Sequence, residues 1–213
     1  MLIHRRQSVR TAQRGDTLIE VLFAFTIFSL VVVGAMSIMN QGSVASQRAL
    51  EITRVRSQID AQATTIRFLH DAYVANFKSG TTYAADTPSG QWVAMTSGLT
   101  ATAASSFGGT ATCPAAPNGS FILNAASAKY VSGTTGKLVA ADTVADVLYD
   151  PSLSELISAQ GIWVEGIRSV AVADVNKQNT RYIDFHIRAC WDSPGQGPPI
   201  TLGTIVRLYE PRS

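Results

Sequence analysis

Few residues in this 213-residue chain are placed for chemistry. Gly133-Thr134-Thr135-Gly136-Lys137 has the outline of a phosphate-binding loop, in which backbone amides and a lysine hold an anion. The outline fails at both ends, because the first glycine position holds Val131 and Leu138 follows the lysine. His186, set between Asp184 and Arg188, offers half of a histidine–carboxylate relay, but alternate residues on a strand face form ordinary ion pairs. His4 and His70 stand apart from that group. There is no His-Glu-x-x-His, Gly-x-Ser-x-Gly or Cys-x-x-Cys, so the chain reads as a non-enzyme, with no metal or cofactor called for. Cys113 and Cys190 leave two readings open: two buried thiols in a reducing compartment, or one disulfide in an oxidising one.

The remaining anomaly is Glu20. It interrupts an apolar run from Leu18 to Met39, 22 residues long, where about 20 residues at 1.5 Å each span a bilayer. No Asp, Glu, Lys or Arg occurs from Val21 to Gln47. A carboxylate in such a helix costs a few kcal/mol unless it is paired or near the interface. The bland reading is an interfacial acid near a helix start, where the macrodipole favours an anion. Arg5, Arg6, Arg10 and Arg14 precede the run, and the next cation is Arg48. Positive charge holds the N-terminus in the cytoplasm, so a single-pass chain would face outward with its C-terminal body. No Ala-x-Ala closes the apolar run, which argues against an ordinary signal peptide.

Gly15-Asp16-Thr17-Leu18-Ile19-Glu20-Val21 resembles the processing motif of type IV pilins and pseudopilins: a basic leader ending in Gly, a cut, a hydroxyl, two aliphatics and then Glu. The resemblance covers residues 1 to about 50. It implies that Gly15 precedes the prepilin-peptidase cut and that Asp16 becomes the N-terminus. It also implies that Glu20 pairs with the N-terminal ammonium of a neighbouring subunit. Two charges joined inside a bundle of apolar helices attract strongly, whereas either alone bears its desolvation cost. The chain departs from the family at Asp16, where most members have Phe, and in lacking a proline within the apolar helix; Gly34 and Gly42 are its points of loosening. Implied partners are prepilin peptidase, other pilin subunits and an inner-membrane assembly platform, with the membrane holding the chain before it enters an extracellular filament. A minor pilin or pseudopilin of a secretion or competence apparatus is one alternative. A non-polymerising anchored binding ectodomain is another.

Composition fits an exported body. The chain is 46% hydrophobic with a net charge of +2, yet removing the four leader arginines from 17 basic side chains leaves 13 against 15 acids. A weakly acidic body without clustered Lys and Arg argues against general nucleic-acid binding.

The elements follow from periodicity. Ile52, Val55, Ile59, Ala63, Ile66, Leu69, Tyr73 and Phe77 recur at steps of three or four, an amphipathic helix that Lys78-Ser79-Gly80 would end. Residues 79–119 have loop composition with isolated anchors at Tyr83, Trp92, Met95, Leu99 and Phe107. Asn118-Gly119-Ser120 forms a glycosylation triplet there. Strands are expected over Ser120–Leu123, Lys129–Val131, Gly161–Val164, Ser169–Val175, Arg181–Trp191 and Thr201–Tyr209, and a short capped helix over Pro151–Ile157. In Arg181–Trp191, apolar Ile183, Phe185, Ile187, Ala189 and Trp191 alternate with an exposed face, and the Ser193–Pro199 loop leads into an antiparallel hairpin. Outward topology favours the disulfide, which would pin the Gly/Thr-rich loop to that strand. The expected class is α+β and pilin-like: a leader over 1–15, a transmembrane and polymerisation helix over 16–45, an amphipathic stem over 46–78 and an extracytoplasmic β-rich head over 79–213.

Overall fold

The computed structural model describes residues 16–99, 103–105, 112–169, 181–192 and 198–211. A 60-residue helix, α1, runs Asp16–Ala75. The chain divides into two compact units, one ending at Ser46 and the other Gln47–Ser213.

In the first unit α1 is apolar and uncovered. Phe23, Phe25 and Phe28 are 67%, 64% and 63% exposed. Two of its hydroxyls are satisfied within the helix: Thr26 Oγ1 donates to Phe23 O at 2.7 Å and Ser29 Oγ to Phe25 O at 2.8 Å. Such back-bonding hides polar groups that hydrocarbon would penalise.

In the second unit the expected stripe is the buried face of α1: Val55, Ile59, Ala63, Ile66 and Leu69 are buried, and Ile52 and Tyr73 pack against them. The helix stops at Ala75, before Lys78, and Gly80 adopts φ +76° beyond it. Eight strands follow: β1 Phe121–Asn124, β2 Lys129–Ser132, β3 Leu138–Val139, β4 Asp146–Tyr149, β5 Leu156–Gln160, β6 Ile162–Arg168, β7 Tyr182–Trp191 and β8 Ile200–Tyr209. Five make an antiparallel sheet in the order β2-β1-β6-β7-β8, and β7 pairs with β8 in register from Tyr182↔Tyr209 to Trp191↔Ile200. Ile183, Phe185, Ile187, Ala189 and Trp191 of β7 all lie in the core. The fold is therefore a long helix followed by a mainly antiparallel α+β body, pilin-like in architecture.

Four expectations need correction. Residues 79–119 are not all loop, for Pro88–Ser97 forms α2. Thr87, extended at φ −87°, accepts the Gly90 N–H on its hydroxyl, and Pro88 supplies the fixed φ of a first helical turn. Pro151–Ile157 is not a helix. Asp150 Oδ1 accepts the N–H groups of Ser152 and Leu153, which closes a turn, and Leu156 and Ile157 then enter β5. A second sheet, β3-β5-β4, was not foreseen; it includes a parallel β3–β5 pair. The polar face of β7 is exposed only in part, because Arg188 and Cys190 are buried. Phe107, residues 170–175 of one expected strand and residues 193–197 of the hairpin loop lie outside the described residues.

Candidate functional site

Of the motif residues, Gly15 lies outside the described residues, Asp16 is the first residue of α1, and Glu20 stands one turn later on an exposed surface. Leu18, Ile19, Leu22 and Phe23 around it are each more than half exposed. No ion pair reaches Glu20 from another described residue. The helix from Thr17 is long and apolar enough to cross a membrane. Its surface can lose its water to lipid or to other apolar helices, and in either setting the carboxylate is costly unless it is paired or near the interface.

The second unit holds the other sequence candidates. Cys113 and Cys190 are joined in a disulfide with their Cα atoms 5.6 Å apart. Beside it lies a cleft of about 310 Å³ lined by Pro114, Pro117, Ser120, Leu138 and Trp163 among others, with no charged side chain among the described residues of its wall. Gly133–Thr135 forms one 3-10 turn, and the Lys137 ammonium donates to Leu156 O, so the phosphate-loop outline is filled from within.

Asp184 is engaged by Arg207, its cross-strand partner, at 2.7 and 2.8 Å. That fork holds the carboxyl below its ordinary range despite partial burial, and Arg207 also sits 4.1 Å over the Tyr182 ring. His186 faces Glu165 and Ile205 across the sheet; burial and then the Arg188 charge push its pKa down. Glu165, not singled out from sequence, is the centre of the buried polar cluster. It accepts from Ser105 N at 3.0 Å, Ser105 Oγ at 2.8 Å and Trp163 Nε1 at 3.0 Å, and Arg188 lies 3.5 Å away. Burial raises its pKa, but these hydrogen bonds and the Arg188 charge outweigh burial and lower it. An acid opposite His186 and beside Trp163 in a β-rich run was the available signal. The cluster ties residues 103–105 to the sheet.

Residues 10–36 match the family model of the prokaryotic N-terminal methylation motif. No curated protein and no solved structure matches the chain. An apolar helix long enough to cross a membrane carries this motif, whose family is structural, and an α+β body follows it. The motif is the prepilin signal, and it supports a type IV pilin-like or pseudopilin precursor.

Proposed function

We propose that the chain is cut by prepilin peptidase after Gly15 and assembled through residues 16–45 into a surface filament. Residues 46–78 serve as its stem and 79–213 as its extracytoplasmic head. Before assembly it crosses the cytoplasmic membrane once, N-terminus in, and the inner-membrane assembly platform adds it to neighbouring subunits. Glu20 sets register by pairing with the ammonium of Asp16 in the next subunit. The observation that carries this reading is the conjunction of the motif at residues 10–36 with an apolar helix whose side chains are exposed among the described residues. The motif supports equally a minor pilin or pseudopilin working at low copy in a secretion or competence apparatus.

Intact mass of the native protein tests processing. The mature chain should begin at Asp16, and Gly15→Val should leave the leader attached. A native chain still beginning at Met1, in a cell with active prepilin peptidase, overturns the reading.

A further inference from the structure

The charges of α1 in the second unit sort into two kinds. Those near its start turn to partners in their own chain: Arg54 pairs with Asp146, and Glu51 accepts the Trp191 indole N–H at 3.0 Å. Arg56, Asp60, Arg67 and Asp71 instead point to solvent. No ion pair among the described residues joins Arg56 to Asp60 or Arg67 to Asp71, and Asp71, 80% exposed, meets only the His70 ring at 3.3 Å. At 100° per residue the four fall within a strip about 60° wide.

Their order is specific. Each pair has the cation first and the acid four residues later. Within one helix that is the weaker orientation, since an acid four residues before a cation suits the macrodipole better. Between parallel helices it is complementary. The proposed pairing of the Asp16 ammonium with Glu20 has the same form, a cation at one position and an acid four residues on. It displaces neighbouring helices by four residues, about 6 Å. The same displacement brings Arg56 of one copy level with Asp60 of the next, and Arg67 level with Asp71.

We infer that this strip is a subunit interface, its occupant the strip of a second, parallel copy displaced by four residues, with Arg56 on Asp60 and Arg67 on Asp71 across the contact. The inference rests on the filament reading and extends its register from the N-terminus along the stem. Exposed ion pairs contribute little singly, so the strip selects the axial position more than it adds affinity.

Cross-linking in filaments tests it. Full-length R56C and D60C chains are co-expressed in a host lacking the wild-type subunit, filaments are collected, and disulfide-linked dimers are read on a non-reducing gel. The expected result is a mixed dimer absent when either variant is expressed alone, and lost when D60C is replaced by T64C. Charge exchange is the second measurement: R56D should lower filament yield, and R56D with D60R should restore it. Filaments in which R56C and D60C link no better than R56C and T64C overturn the inference while leaving the filament reading intact. Failure of D60R to restore yield to R56D also overturns it. If the wild-type chain forms no filaments at all, the filament reading falls and this inference falls with it.

Discussion

Gln62 of α1 and Leu123 of β1 hold each other by two reciprocal hydrogen bonds: Gln62 Nε2 donates to Leu123 O at 2.7 Å, and Leu123 N donates to Gln62 Oε1 at 2.9 Å. Both residues are fully buried. β1 meets β6 only at Phe121↔Val164, so the side chain of Gln62 serves backbone groups that no β6 residue pairs. Gln62→Leu should therefore strand a buried N–H and a buried C=O, destabilising the second unit by about 2–4 kcal/mol. Gln62→Glu keeps one acceptor but loses the donor and buries a charge, and should cost at least as much. Urea denaturation of the detergent-solubilised chain measures both. A change below about 0.5 kcal/mol, the size of an ordinary surface substitution, would contradict this account.

Where burial follows sequence periodicity the fold was legible. The α1 stripe from Val55 to Leu69 and the alternation of Ile183 to Trp191 both recur at the spacing of their element, and both form the core. Where a single side chain decides local structure, composition misled. Thr87-Pro88 starts a helix inside a Gly/Ser/Thr-rich stretch, because Trp92 and Met95 bury one side of it. Asp150 closes a turn where Pro151 had pointed to a helix start. Leu138-Val139 is too short to show a period, and its parallel pairing with β5 depends on distant residues. The motif around Glu20 was legible because it is contiguous. The Glu165 cluster was not, since Ser105, Trp163 and Arg188 come from three separate segments.

The disulfide closes a 77-residue separation and fixes Cys113 to β7. In the chain-entropy model a loop of that length stabilises by about 4 kcal/mol, less any strain. Cys190→Ser should lower the thermal stability of the second unit by up to that amount while leaving membrane insertion unchanged, because residues 16–46 make no use of the bridge. Thermal unfolding with and without reductant, beside carbonate extraction of membranes, checks both halves. Ready thiol labelling of both cysteines in protein taken from its native compartment would count against the bridge.

Acid should weaken the second unit in two stages. His186 is held below its ordinary value of about 6.5, first by burial and then by Arg188. The unfolded chain takes up that proton first, so stability falls as pH drops through about 6.5 toward the folded value. Glu165 and Asp184 are held below the ordinary carboxylate range, so their contributions are full above about pH 4.3 and fade as pH falls through their folded values. Melting temperature against pH should show both stages. His186→Gln should remove the upper one. Glu165→Gln should shrink the lower one and cost stability at pH 7, where Arg188 loses a charged partner. A wild-type profile flat from pH 7 to pH 5 would reject the His186 assignment.

Glu20 tests assembly most directly. It sits on an exposed apolar surface among Leu18, Ile19, Leu22 and Phe23, with no cation beside it among the described residues. In the proposed filament its partner is the ammonium of the next subunit, with the Asp16 carboxylate as a competitor. Glu20→Gln keeps the shape and removes the charge, so insertion should be unchanged or improved, since an expensive group leaves the hydrocarbon. Assembly should suffer instead. A pair worth about 1.4 kcal/mol per contact lowers the association constant about tenfold, and every contact along the filament repeats the loss. Asp16→Phe should be tolerated or should raise yield by removing the competing acid. Filament yield from each variant, in a strain lacking the wild-type subunit, with membrane fractionation as the insertion control, is the measurement. If Glu20→Gln gives normal yield, the register role fails, and an anchored ectodomain that never polymerises becomes the better account of an uncovered helix.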